Sequence, residues 1–147
     1  MLKLVSDFHS PTLTQHIAAR FLASGGYERH LEATLPYYRE RRDALVAALE
    51  RHLAGEYAVD VPLGGHHLWV RLTRPTDERA LYSEGIRHGV SFVPGGVVTP
   101  ERRSQTALRL SFSLLDADEL DEGVRRLARA LREVRRSARH SVAGPLS

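Results

Sequence analysis

There is no cysteine among the 147 residues. Disulfide scaffolds, thiolate-ligated zinc and iron–sulfur clusters are therefore excluded. Lysine is nearly absent too: Lys3 stands alone, and every other basic residue that carries a fixed charge is arginine. No apolar run is long enough to span a bilayer, and Met1 to Ser10 lacks the apolar core of a secretion signal, so a cytoplasmic location is expected. Excess charge is also scarce, a net +3 from 21 basic and 18 acidic residues. What excess there is falls late, at Arg125, Arg126, Arg129, Arg132, Arg135, Arg136 and Arg139. A solvated helix face explains that run more simply than a nucleic-acid surface. The 42% hydrophobic and 27% charged content is that of a globular chain, not of a disordered or collagen-like one. At this length roughly two thirds of the unfolded surface can be buried in one core.

The apolar spacing predicts helices first. Ser10-Pro11 has the form of an N-cap followed by a proline at the first helical position, Leu13, Ile17 and Phe21 recur every four residues, and Gly25-Gly26 closes the segment. A longer helical pattern runs from about Tyr27 to Leu53, with Leu31, Leu35, Tyr38, Leu45, Leu49 and Leu53 as its stripe. Arg42 interrupts that stripe, and Pro36 is expected to kink the helix or to mark its true start. The period then shortens to two. Tyr57, Val59 and Val61 define one strand; after a turn at Pro62 to Gly65, Leu68, Val70 and Leu72 define another, with His67, Trp69 and Arg71 on its opposite face.

Thr76 or Asp77 caps a short helix with Ala80, Leu81 and Ile86, ending before Gly89. Val90 to Val93 reads as a third strand broken by Pro94-Gly95-Gly96, and Leu108, Leu110 and Phe112 mark a fourth. Asp116 and Glu119 have capping-box spacing ahead of a helix with Leu120, Val124, Leu127, Leu131 and Val134 on one face. Gly123 within it suggests a close approach of helix to sheet, and periodicity fades after about Ser137. The expected fold is α+β, a two-layer sandwich: a small, mostly antiparallel sheet with helices packed on one face, preceded by a long helical segment.

Period-two geometry sets Arg109, Ser111 and Ser113 opposite Leu108, Leu110 and Phe112. A guanidinium held outward on a rigid strand suits a carboxylate, whose two oxygens match its planar fork; a plain solvent-facing arginine has the same spacing. Other constellations fall short. His66-His67 are adjacent on a strand and point to opposite faces, without partners at ligand spacing. His30 and His52 lack the H-E-x-x-H pattern, Ser91 and Ser111 lack a nucleophile elbow, and no metal site is expected. Gly64-Gly65 and Gly95-Gly96 read as turn glycines that open no phosphate-cradling helix, and Tyr37-Tyr38 as helix packing.

The runs Leu63-Gly64-Gly65-His66-His67-Leu68-Trp69-Val70, Gly89-Val90-Ser91-Phe92-Val93-Pro94-Gly95 and Leu108-Arg109-Leu110-Ser111-Phe112-Ser113 together resemble the C-terminal part of a fold-type-I, pyridoxal-phosphate-dependent class I/II aminotransferase, of the aminoadipate-aminotransferase-like subgroup. Glu122 to Ala128 is similar to that family's closing helix. Gln15 and the stretch from Tyr27 to Asp43 are similar to its interdomain segment, so the resemblance covers about Lys3 to Arg136. It implies residues 1–53 as an interdomain helical segment and 54–136 as the small domain, and the loss of periodicity leaves 137–147 as an expected flexible tail. The resemblance further implies transfer of an amino group between an amino acid and a 2-oxo acid, with Arg109 binding the substrate's α-carboxylate and pyridoxal 5'-phosphate as cofactor.

Two departures from the family stand out. Gly96-Val97-Val98 replaces an aromatic residue after Pro94-Gly95, and the Schiff-base lysine, the aspartate for the pyridine nitrogen and the phosphate loop have no counterpart. Nothing around Lys3 resembles the catalytic lysine motif, so the isolated chain is expected to be inactive. A homodimer, or a complementing large-domain chain, is expected to cover Leu2, Leu4, Val5, Phe8 and Leu13. The alternative is the effector-sensing, aminotransferase-like domain of a bacterial winged-helix transcription regulator, whose interdomain segment is similar to Tyr27 to Leu49.

Overall fold

The computed structural model describes residues 11–98 and 105–142. Lys3, the apolar residues Leu2, Leu4, Val5 and Phe8, and Ser10 lie outside these. Two compact units divide between Tyr37 and Tyr38. In the first, helix α1 spans Thr12–Ala23, and Pro11 occupies the N-cap position, one residue later than the sequence spacing predicts. Its carbonyl accepts the Gln15 N–H at 3.2 Å. No residue of α1 is buried; Leu13 is 73% exposed and Ile17 61%, so the apolar stripe finds no cover among the described residues.

Helix α2 spans Gly26–Leu53 as one element, with Pro36 inside it rather than at its start. Its stripe changes character along its length: Leu35 is 52% exposed, whereas Leu45, Ala48, Leu49 and Leu53 are buried. The second unit uses that C-terminal half as one wall of its core. The interruption at Arg42 also has a structural reason. Its guanidinium donates to the Pro62 carbonyl at 3.0 Å and to Asp43 at 2.8 Å, pinning the loop before the second strand.

The second unit continues through strand β1 (Tyr57–Val59), strand β2 (His67–Leu72), helix α3 (Glu78–Arg87), strand β3 (Val93–Pro94), the one-turn helix α4 (Gly95–Val98), strand β4 (Ala107–Ser111) and helix α5 (Ala117–Val142). The strands form one sheet in the order β1-β2-β4-β3, with every neighbouring pair antiparallel. Leu68 faces Leu110, and Val70 faces Leu108, so the inward residues of the two central strands meet directly. Against them pack Leu45, Leu49 and Leu53 of α2, Leu81 of α3, and Leu120, Val124, Leu127 and Leu131 of α5. Burying each such leucine stabilises the fold by roughly 1.5–3 kcal/mol. The α+β sandwich with helices on one face is the fold observed.

Several local features follow from hydrogen bonding. Asp77 is the N-cap of α3, accepting from the Arg79 and Ala80 N–H groups. Asp116 and Glu119 form a reciprocal capping box: the Glu119 N–H donates to Asp116 at 2.9 Å, and the Asp116 N–H to Glu119 at 3.0 Å. The third strand is shorter than its apolar run. The Val90 N–H donates back to the Gly85 carbonyl at 2.9 Å and Phe92 turns into the core, so ladder pairing starts only at Val93. Pro94 is tolerated there because β3 is an edge strand. Ile86 is exposed, leaving Leu81 and Gly85 as the buried residues of α3. Helix α5 continues past Ser137, where apolar periodicity ends, to Val142. Among the described residues no helix is long and apolar enough to cross a membrane.

The expectation that Gly123 allows a close approach is not met. A Cβ placed there would have no neighbour within 4 Å, because the residue borders a small apolar cavity beside Leu110 and Leu115. Gly123→Ala is therefore expected to stabilise the protein by up to about 1 kcal/mol through helix propensity; urea unfolding would measure this.

Three arginines of the α5 run are held by acids. Arg125 and Arg126 both bond Glu122, and Arg135 reaches Glu56, which Arg74 also bonds. Burial pushes the Glu56 carboxyl up, but Arg135 and Arg74 outweigh it and hold the group below its ordinary value. A carboxyl with a depressed folded-state value adds stability above its unfolded value and loses it as pH falls through the folded one. Glu56→Gln is expected to cost about 1–3 kcal/mol near neutral pH. The gap from the unsubstituted protein should close below about pH 4, as seen in denaturant titrations across pH.

Candidate functional site

Strand β4 lies between β2 and β3, so each of its residues has a cross-strand partner on one or both sides. Leu108 and Leu110 point into the core, and alternation sends Arg109 to the opposite face of the sheet. In register, Arg109 faces Trp69 of β2 on one side and Val93 of β3 on the other. Side chains so paired lie about 5 Å apart at Cβ, which restricts the arginine stem between an indole and a branched aliphatic group. His67 pairs with Ser111 on the same face, one step diagonally from Arg109.

Charges on this face are disposed unequally. Arg71 of β2 donates to Asp60 at 2.9 Å, which satisfies it locally. Arg109 has no ion pair among the described residues, and its buried Nε has no hydrogen-bond partner there. Burial chiefly, then the Arg109 charge and His66, holds His67 below its ordinary value. His67 is therefore neutral near neutral pH, and Arg109 is the cation of this patch without a counter-ion. A half-buried guanidinium of that kind binds a carboxylate or another planar oxyanion through charge-assisted hydrogen bonds.

The segment beside Arg109 is held by a residue with no sequence signal. Glu78, on the first turn of α3, accepts the Gly96 N–H at 3.0 Å and the Ala107 N–H at 3.3 Å. At Gly95 a Cβ would come within 2.9 Å of the Ala107 carbonyl oxygen, so glycine is needed for the chain to press against β4. Gly95 does open a helix, contrary to its reading as a turn glycine, but α4 is a single turn. The Gly96 amide is occupied by Glu78 and so is not a phosphate donor.

The described residues do not fit a pyridoxal phosphate site on their own. They contain no lysine to form an imine, and their glycine-rich turn is closed by a carboxylate. What they present is a half-buried, outward guanidinium at Arg109 whose Nε has no partner among the described residues.

Of the histidines singled out by sequence, His66 and His52 have side-chain partners. The His66 ring packs edge-on against Tyr38, with centroids 4.7 Å apart, and its carbonyl accepts the Phe112 N–H. His52 lies 3.0 Å from Asp121, linking α2 to α5. His30 is exposed on α2. Trp69 and His67 were visible in the period-two pattern as a strand face, but their placement around Arg109 depends on the strand register.

Known proteins with this pattern are similar over nearly the whole chain. The family model described as aminotransferase class I and II matches residues 1–127. A 2-aminoadipate transaminase from Thermus thermophilus is 36% identical over 127 residues, which is 86% of this chain and 32% of that protein. The crystal structure of α-aminoadipate aminotransferase from Thermus thermophilus, complexed with N-(5'-phosphopyridoxyl)-L-leucine, superposes with a TM-score of 0.79 at 35% identity. That alignment covers 92% of this chain and 34% of that one. An HTH-type transcriptional regulator from Bacillus subtilis is 33% identical over 134 residues, 90% of this chain and 27% of the regulator. The chain thus spans about a third of the length of the relatives it matches. With a core-backed β4 that carries Arg109 outward, and a family match from residue 1 to residue 127, the chain belongs to the class I and II aminotransferases.

Proposed function

We propose that this chain forms the substrate-carboxylate side of a pyridoxal-phosphate-dependent aminotransferase that moves an amino group between an amino acid and a 2-oxo acid. The observation that carries the reading is Arg109: a half-buried guanidinium on a central strand, unpaired among the described residues, with an adjacent neutral histidine. Both an amino acid and its 2-oxo acid present a carboxylate next to the reacting carbon. One arginine clamp therefore serves both halves of such a reaction.

Arg109 binds that carboxylate and sets the orientation of the neighbouring carbon, an entropic contribution that depends on the rigidity of β4. Trp69 and Val93 limit the arms the arginine can adopt. Glu78 and Gly95 hold the neighbouring edge strand in place. Pyridoxal phosphate provides the electron sink at the substrate carbon in enzymes of this family. Residues 54–136 serve as the small domain in this reading and the preceding helices as the interdomain segment. A second copy or a large-domain chain then packs on the apolar stripe of α1.

A second reading rests on the similarity to the Bacillus subtilis regulator. There Arg109 would hold the carboxylate of an effector, without turnover.

Joining residues 1–147 to the N-terminal two thirds of the Thermus thermophilus transaminase gives a direct test. Arg109→Ala in that chimera is expected to raise KM for both amino acid and 2-oxo acid by about ten- to a hundredfold, the loss of one charged hydrogen-bonded pair. Pyridoxal phosphate binding, followed by its absorbance, should be unchanged. Equal loss of cofactor would remove Arg109 from the substrate site, and a chimera that binds amino acids without turning them over would favour the regulator. The 147-residue chain itself is expected to sediment as a species larger than a monomer, with Leu13→Glu and Ile17→Glu shifting it toward the monomer.

A further inference from the structure

Away from Arg109, on the helical layer, α3 and α5 pack side by side. Glu84 and His88 lie four residues apart at the end of α3, so helical geometry sets them on one face, one turn apart. Glu133 of α5 meets them across the seam. The His88 Nε2 lies 3.3 Å from a Glu133 oxygen and 3.6 Å from Oε1 of Glu84, and the ligand atoms of all three residues lie within 4.8 Å of one another. Arg87 takes the other Glu84 oxygen, Oε2, at 3.6 Å, which leaves Oε1 turned to the cluster. Two carboxylates brought this close repel unless a proton or a cation lies between them.

We propose that Glu84, His88 and Glu133 bind a divalent transition-metal cation of the zinc type and thereby staple α3 to α5. For tetrahedral coordination with bonds of about 2.05 Å, ligand atoms are separated by about 3.4 Å. The two separations measured from His88, 3.3 and 3.6 Å, bracket that spacing. One imidazole nitrogen with two carboxylate oxygens suits zinc and its neighbours, and disfavours magnesium or calcium, which take oxygen alone. The side chains are 20–42% exposed, so water can complete the coordination. Arg87 and Arg136 are the nearby positive charges that oppose a bound cation.

Zinc added to the untagged chain, freed of metal by chelation, tests the site by calorimetry and thermal unfolding. The expected result is one zinc per chain, a raised Tm, and no response to magnesium at the same concentration. His88→Ala and Glu133→Gln should each weaken zinc binding by at least roughly tenfold, given that even outer-shell changes cost ten- to a hundredfold. His30→Ala, an exposed histidine outside the cluster, should leave binding unchanged. Cobalt substitution of the unaltered chain, which should give the intense visible bands of four-coordinate cobalt, does not depend on how the variants fold. Zinc binding that survives His88→Ala undiminished, a Tm that zinc does not move, or cobalt with only weak six-coordinate bands would each overturn the proposal. Neither result bears on Arg109, because none of the three ligands lies on the sheet.

Discussion

Everything in the second unit depends on β4 having two different faces. Leu108 and Leu110 interlock with Val70 and Leu68 of β2, and the helices close over them. A one-residue slip would put Arg109 into that core and two leucines into water, so packing holds the register firmly. The same constraint that anchors the strand orients the guanidinium. In this fold stability and placement of the candidate site cannot be separated, because alternate residues of one strand serve both.

The helices contribute unequally. Helix α5 carries the longest uninterrupted apolar face and begins with a fully formed capping box, which makes it the main cover of the sheet. The C-terminal half of α2 supplies the second wall. Helix α3 contributes chiefly Leu81, while its Glu78 reaches away to fasten the Gly96 and Ala107 amides. A short helix thus links the core to the segment beside Arg109. Polar bonds do similar work elsewhere: the Thr106 hydroxyl donates to the Thr76 carbonyl at 2.7 Å and accepts its N–H, tying the entry of α3 to the start of β4.

Membership in the class I and II aminotransferases accounts for the fold that the chain shares with its relatives. The described residues present an outward guanidinium at Arg109 but contain no imine-forming lysine, and their glycine-rich turn is closed by Glu78. The relatives include both a transaminase and a transcription regulator, and a shared fold does not by itself fix function.

Much of this was legible in the linear sequence. Period two in Leu68 to Leu72 and Leu108 to Phe112, the four-residue spacing of α5, and the Asp116/Glu119 pair are local patterns, and local geometry alone sets which side chains share a face. The α+β class and the outward direction of Arg109 follow from them. Non-local pairing decided the rest. Whether Trp69 or another residue flanks Arg109 depends on strand register, and the shortening of β3 depends on the Val90 bond to Gly85. The open space at Gly123 depends on how α5 sits over the sheet. From the sequence alone no metal site is expected and neither Glu84 nor His88 is marked, and Glu133, 45 residues beyond His88, reaches them only because two helices pack together. Residues far apart in sequence become neighbours through core packing, and no local period encodes that.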